Sequence, residues 1–413
     1  MGSRVEIPLG PFIFEFLITT EESVTFKCSQ KYLKRMFQDV FIIGATGKVG
    51  STLVRQILEK RDTDTSLHAN PTRIVGVASR DNFVYSPRGL SPSQAYSFAS
   101  RNFGDVNRYA DLHELVETAD IGTRRSSGSL VFVDTTPVLD GMTRFHIYVV
   151  GTTPYGIVTA NKNPIALSDY PTFQALTENP RRYGYRCSVM AGSDAIPFLL
   201  DLRDLNETLY GIEGCFSGTL GYITSELDKD KKFSKILSEA YTKGYTEPDP
   251  RDDLRGFDVA RKVIVLARSA GYEAGIKDIK PQPFIPEEYL KDGSIDDFLA
   301  NSVNLDQHFA DLVKSARIRG NTIRYVATMK LNRGYPEIEV ALKEVPLESS
   351  LGMLQGTRNK IVITTECYPV DRPYIIEAPG AGLDVTARNI RRDLIGLLTE
   401  RTATNHNISH KNL

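Results

Sequence analysis

The hydrophobic positions of this chain switch between two periods. Residues 40–44, VFIIG, make the short continuous apolar run of a buried strand. Residues 47–61 then place Val49, Leu53, Val54, Ile57 and Leu58 at helical spacing. TRIVGVAS (72–79), SLVFVDTT (129–136) and YGIVTANK (155–162) read as further strands, each ending in small or polar residues where a chain leaves a sheet. Strand, helix and strand in alternation predict an α/β fold with a Rossmann-type doubly wound parallel sheet.

After about Tyr183 the texture changes. Glycines and turns crowd SVMAGSDAIP (188–197) and GIEGCFSGTLGYI (211–223). A helix is predicted from Leu254 to Ala270, and residues 282–320 read as charged and helical. IRYVATMKL (323–331) and EIEVALKEV (337–345) alternate as strands, and NKIVITTECY (359–368) and RPYIIEA (372–378) follow. A glycine turn then enters a last helix from residue 378. This predicts an α+β domain beside the parallel sheet.

Residues 1–38 are less regular. Val5 to Thr19 is apolar without a clean period, ESVTFKC alternates as a strand, and SQKYLKRMFQ reads as a short amphipathic helix. One strand–helix unit is expected there, and the acidic residues with few serines argue against a transit peptide. The expected division is a 1–38 extension, a 39–182 nucleotide-binding domain, a 183–350 substrate domain, and a 351–413 return to the nucleotide-binding domain with a tail.

Composition narrows the function. At 413 residues, 41% hydrophobic and 24% charged, the chain is a globular protein of two or three domains. A net charge of -1 gives no electrostatic reason to expect nucleic acid or an anionic membrane as partner. No apolar run reaches the ~18 residues of a membrane-spanning helix. Cys28, Cys187, Cys215 and Cys367 lie far apart without a CxxC, which suits a reducing compartment: the cytoplasm, or a plastid for a plant source. His406 and His410 share a helical spacing but sit in a polar tail and read as solvated.

Several motifs carry chemistry. Gly44, Thr46, Gly47, Lys48, Val49 and Gly50 form a GxxGxxG turn between strand and helix, which lets a pyrophosphate approach the backbone and sit on the helix N-terminus. The alternative is a turn that only packs. At the end of the second strand, Ser79 and Arg80 stand where an NAD-preferring fold would place an acid. They suit a 2′-phosphate, the alternative being a solvated loop arginine. Thr135 and Thr136 can approach a cofactor or simply end a strand. Lys162, at the carboxyl end of VTANK, points toward the ligand crevice or is an ordinary surface lysine.

The densest signal is GYTEPDPRDDLRGFDVARKVIVLAR, residues 244–268. Asp258 and Lys262 are one helical turn apart and border the apolar stripe of Val259, Val263, Leu266 and Ala267. A surface ion pair is the plain alternative. The carboxylate-rich loop leading into the pair favours a site that grips an ammonium group and presents a lysine to a carbonyl oxygen.

This segment closely resembles the homoserine dehydrogenase family. The glycine turn, VTANK, GIEGCFSGTLGYI and APGAG follow in that family's order across roughly residues 39–400. Residues 285–327 are similar to the dehydrogenase half of bifunctional aspartokinase–homoserine dehydrogenases, and residues 22–37 look like the end of an ACT domain. The resemblance implies NADP(H)-dependent interconversion of aspartate 4-semialdehyde and homoserine, in threonine and methionine biosynthesis. It implies Lys262 as the residue that passes the proton, with Lys162 near the nicotinamide and substrate. Glu247, Asp258, Thr219 and the supporting acid Asp253 match substrate-binding positions, and Gly244, Gly380 and Gly382 match cofactor contacts. It also implies a homodimer through the substrate domain, where the strands near 323–345 need edge partners. Threonine feedback is not expected, because 38 residues cannot build an ACT domain.

Some positions depart from the pattern. The family's EATVGAGLP loop, whose carbonyls hold a sodium-like cation, becomes residues 186–197. Arg186 replaces the acid, and extra residues precede Pro197. The matching carbonyls would be those of Arg186, Val189, Ala191 and Ile196. Arg388 falls near the cofactor, where it either touches phosphate or disturbs the site. The competing readings are another NADP-dependent amino-acid aldehyde oxidoreductase and an idle NADPH-binding regulator.

Overall fold

The computed structural model describes residues 3–9, 12–19, 23–30, 37–68, 71–123, 129–139 and 141–408, with side chains from residue 37 to 397 apart from 69–70, 122–129 and 140. At the N-terminus, strands β1 (Ser3–Leu9), β2 (Phe12–Thr19) and β3 (Ser23–Gln30) pair as an antiparallel sheet. The expected single strand–helix unit is thereby corrected: the apolar run from Val5 is two strands. The helix expected over 29–38 begins inside β3, and most of it lies outside the described residues.

The parallel sheet is built from β4 (Gln38–Ile43), β5 (Thr72–Ala78), β6 (Asn82–Tyr85), β7 (Asn107–Arg108), β8 (Ser129–Asp134), β9 (Gly156–Thr159) and β10 (Tyr183–Gly184), in the order β10-β9-β8-β4-β5-β6-β7; the pairs from β10 to β5 are parallel, and β6 pairs antiparallel with β5 and β7 at one edge. Helices α1 (Lys48–Glu59), α2 (Pro92–Ala99), α3 (Leu112–Thr123), α4 (Met142–Thr152), α5 (Asn163–Ala166) and α6 (Tyr170–Thr177) make the connections. Strand β4 is buried throughout. Its period of two sends Val40 and Ile42 into the core on one face, and Phe41 and Ile43 into the core on the other. The strand order reverses between β5 and β8 on either side of β4, the place where a crevice opens beyond the carboxyl ends of a doubly wound sheet.

The second domain comprises α7 (Ala195–Asp204), β11 (Leu209–Cys215), α8 (Gly218–Leu227), α9 (Phe233–Thr242), α10 (Pro250–Leu254), α11 (Phe257–Ser269), α12 (Ile295–Asn301), α13 (Asp306–Ile318), β12 (Asn321–Asn332), β13 (Tyr335–Pro346), β14 (Arg358–Thr365) and β15 (Tyr374–Pro379). Its antiparallel sheet has the order β13-β12-β11-β14-β15, with α8, α11 and α13 packed on it. Strands β14 and β15 belong to this sheet, which therefore runs to Pro379, past the boundary expected at residue 350.

Only α14 (Leu383–Ile408) returns to the parallel sheet. Its Ala387, Ile390, Leu394 and Leu397 join Leu53, Val54 and Ile57 of α1 in one core. Arg391 clamps Asp62 with two bonds of 2.5 and 2.6 Å.

The helix expected over 254–270 is α11, which starts at Phe257, after the short α10 ends at Leu254. Gly256 breaks them in a left-handed conformation (φ 76°), and the hydroxyl of Tyr325 occupies the space a side chain there would need. The break turns the start of α11, and Asp258 with it, toward the parallel-sheet domain.

Candidate active site

The glycine turn has the geometry its sequence predicted. Gly44 takes φ 83°, and the amides of Gly44 and Ala45 both donate to the Ala78 carbonyl at 2.9 Å. A side chain at Gly50 would fall on the Gly44 carbonyl and the Thr135 hydroxyl, so glycine there lets helix, turn and strand close up. Gly47 is the N-cap of α1. No side chain caps this helix and no acid lies in its first turn, so its amides and dipole remain available to an anion. Lys48 is exposed beside it, with Thr46 and Val49 half-buried.

The two threonines serve the turn. Thr135 donates to the Ile43 carbonyl at 2.8 Å, and Thr136 donates to Asp134 through both amide and hydroxyl, at 2.9 and 2.8 Å. Asp134 is fully buried, with His146 Nε2 3.3 Å from its other oxygen. Sequence reading missed this support, because the sequence does not show that α4 brings His146 beneath β8. Arg80 is exposed at the end of β5, with no ion-pair partner among the described residues. Ser79 turns its hydroxyl to the Asn82 carbonyl at 3.2 Å. Gly380 and Gly382 lie in the turn before α14, where Gly380 packs on the buried side chain of Asn359. Gly244 follows α9 at φ 67°, as a helix end requires. These residues fit a bound dinucleotide, with an open helix terminus for the pyrophosphate and a free guanidinium for an extra phosphate.

Lys262 and Lys162 meet on a single carboxylate. Lys262, 8% exposed, lies 2.8 Å from Asp258 Oδ2 and donates to the Phe216 carbonyl at 2.6 Å. Lys162 comes from the parallel-sheet domain and pairs with Asp258 Oδ1. Burial raises the Asp258 pKa, but the ammonium groups of Lys262 and Lys162 outweigh it and hold the carboxyl well below its ordinary value. Asp258 was expected to hold a substrate ammonium. In the structure each of its oxygens pairs with a lysine. The Phe216 carbonyl has no signature in sequence, because any residue supplies one.

Asp253 accepts from the Glu247 amide at 2.8 Å and lies 2.9 Å from the Thr219 hydroxyl, which also reaches the Tyr245 carbonyl at 2.7 Å. Burial pushes the Asp253 carboxyl up to about 6, against the lowering effect of those hydrogen bonds. Glu247 is exposed, and its carboxylate has no ion-pair partner among the described residues. It is therefore the acid of this group that is open to a ligand.

In the loop over 186–197, two of the carbonyls expected around a cation have partners within the protein. Ala191 gives its carbonyl to Asn389 Nδ2 at 2.8 Å, Val189 gives its own to the Gly192 amide at 3.0 Å, and Ile196 lies within α7. Arg186 turns to α14 instead, where its guanidinium meets Asp393 at 2.7 Å and its amide meets the same carboxylate at 3.1 Å. Arg388 is exposed and donates to Asn389 Oδ1 at 3.1 Å.

A dinucleotide-type sheet whose own Lys162 meets Lys262 of an antiparallel-sheet domain at the switch point is the organisation of an oxidoreductase. The comparisons with known proteins narrow this class. Residues 196–395 match the family model of homoserine dehydrogenase. The chain is 33% identical over 377 residues to a chloroplastic bifunctional aspartokinase/homoserine dehydrogenase of Daucus carota, a match covering 89% of this chain and 39% of that protein. A similar match, 32% identical, is to the Zea mays protein of that name. Over residues 196–395 the chain matches the homoserine dehydrogenase family, and it spans about two fifths of the length of the curated relatives it matches. Among solved structures, a Candida auris protein of unknown function superposes with TM-score 0.76 at 27% identity, over 87% of this chain and 98% of that one. A hyperthermophilic archaeal homoserine dehydrogenase in complex with NADPH shares the fold, with TM-score 0.64 at 21% identity over 88% and 98%.

Proposed function

We propose that this chain is an NADPH-dependent homoserine dehydrogenase that reduces the aldehyde of L-aspartate 4-semialdehyde to the alcohol of L-homoserine, reversibly. The observation that carries the reading is the junction of Lys262, Lys162 and Asp258 beyond the carboxyl ends of the parallel strands. The α1 N-terminus and Arg80 hold the dinucleotide, and NADPH when bound supplies the hydride to the aldehyde carbon.

An ammonium group has three hydrogens. Lys262 pairs with Asp258 and donates to the Phe216 carbonyl, which leaves a hydrogen for a ligand. That hydrogen meets the aldehyde oxygen, stabilises its growing negative charge and is transferred to it. Asp258 keeps both lysines charged and in place, Lys162 adds a second positive group, and exposed Glu247 receives the substrate's ammonium. In the oxidation direction Lys262 takes the alcohol proton back.

The same reading includes a homodimer through the edges left open at β13 and β15, which sedimentation at micromolar concentration tests. It also includes a reducing compartment, suited to the free thiols of Cys187, Cys215 and Cys367; no described helix is long and apolar enough to cross a membrane. The deciding experiment follows NADPH oxidation with aspartate semialdehyde. Absence of turnover by the folded protein would overturn the assignment, and turnover of unrelated amino-acid aldehydes alone would move it to the wider oxidoreductase class.

A further inference from the structure

Helix α11 carries a buried arginine that the chemistry above does not use. Arg268 is 2% exposed and has no carboxylate partner among the described residues. Its guanidinium donates to three carbonyls: Nε to Ala274 at 2.7 Å, Nη1 to Ile165 at 2.7 Å and Nη2 to Ser168 at 2.8 Å. It also lies over the Phe173 ring, 5.6 Å from its centre. Ala274 follows α11 itself. Ile165 and Ser168 belong to the other domain, in the last turn of α5 and just beyond it, where a short helix has carbonyls without partners.

Lys162 is the N-cap of that same turn. Its carbonyl accepts from the amides of Ile165 and Ala166 at 3.2 and 2.8 Å. Arg268 therefore grips one end of a four-residue helix whose other end is Lys162. Asp258 and Arg268 are ten residues apart on α11, about 15 Å along its axis. One rigid helix thus touches the turn bearing Lys162 at two places. The Lys162–Asp258 pair is partly open to solvent, where an ion pair holds little, whereas the Arg268 bonds are buried and charge-assisted.

The geometry points to Arg268 as a positioning residue that sets Lys162 against Asp258 across the domain junction, without touching substrate or cofactor. The inference rests on the role proposed above for Lys162. Tyr170, donating to the Gly271 carbonyl at 3.0 Å, ties the same two segments but carries no charge to match the carbonyl ends.

A mutant cycle on the full chain tests it. Arg268→Lys keeps the charge but cannot span three carbonyls. It should lower kcat by about tenfold through misplacement of Lys162, with the Kd for NADPH within about twofold of the parent. In a Lys162→Ala background the same substitution should cost less than about twofold, because the group it positions is gone. Equal losses in both backgrounds, or an Arg268→Lys enzyme with unchanged kcat, would overturn the proposal. If Arg268→Lys does not fold, Phe173→Leu loosens the same clamp and enters the same cycle with the same expectations. Full turnover by Lys162→Ala would instead defeat the role given to Lys162, and the clamp with it; a large loss there with an independent Arg268 effect defeats the clamp alone.

Discussion

Lys262 stands 2.8 Å from Asp258, one turn away on the same helix, and the pair is buried on the lysine side and shared with Lys162 on the other. A solvated i,i+4 pair would predict that Lys262→Ala loses a few tenths of a kcal/mol and leaves turnover intact. The shared, half-enclosed pair predicts a fall in kcat of at least about a hundredfold, the scale of a lost general acid or base. NADPH affinity should stay near normal by fluorescence titration. Lys262→Arg should not restore turnover, because guanidinium gives up its proton poorly. A folded Lys262→Ala enzyme turning over at the parent rate would leave Lys162 as the proton carrier.

Arg80 is exposed at the tip of β5, where a dinucleotide-binding fold meets the adenosine ribose. Arg80→Asp should raise the KM for NADPH by tenfold or more, about the value of one lost charge-assisted contact, and change the KM for NADH little. Initial rates with each cofactor decide this. Equal use of both by the parent protein would remove Arg80 from phosphate recognition.

Asp253 titrates within an accessible range. Its folded pKa of about 6 lies above the ordinary 3.8, chiefly through burial. Below about pH 4 both folded and unfolded chains hold the proton. Between about 4 and 6 the unfolded chain releases it first, so the contribution of Asp253 to stability is lost as pH rises and is gone above about 6. Asp253→Asn should abolish this slope, a difference of at most ~3 kcal/mol across the window. Thermal melts of both proteins from pH 4 to 7 measure it, and parallel curves would contradict it.

Arg186 and Asp393 form a pair in which the carboxylate side chain is 6% exposed. Burial raises the Asp393 pKa, and Arg186 opposes the rise. Arg186→Ala should destabilise the folded chain by about 3 kcal/mol, because it strands a buried charge. The deficit should shrink as pH falls and Asp393 takes up a proton, and Asp393→Asn in the same chain should recover part of the loss. A deficit independent of pH would mean that only packing was lost.

Sequence patterning revealed the parallel sheet because β4, β5 and β8 bury both faces and read as unbroken apolar runs. The glycine turn was legible for a related reason: a side chain at Gly44 would meet Thr135 and Thr136, and one at Gly50 the Gly44 carbonyl. The break at Gly256 was not legible, since the Tyr325 hydroxyl that enforces it lies on a strand about seventy residues away. Asp258 was legible together with Lys262, because spacing along a helix shows that pair, but it cannot show Lys162 arriving from another domain. Asp393, the partner of Arg186, was missed for the same reason: the two are 207 residues apart.

The return of α14 has a consequence for how the protein is made. Leu53, Val54 and Ile57 of α1 complete their core only with Ile390, Leu394 and Leu397, and the Arg391–Asp62 clamp joins residues 329 positions apart. During synthesis the first domain therefore leaves the ribosome with one apolar face bare, and it stays bare while the whole second domain is translated. At about 5–20 residues per second this interval lasts on the order of half a minute, during which the bare face is open to aggregation. Loss of the last helix would make that transient exposure permanent, so a protein shortened to residue 382 should aggregate with every residue of its proposed chemistry intact.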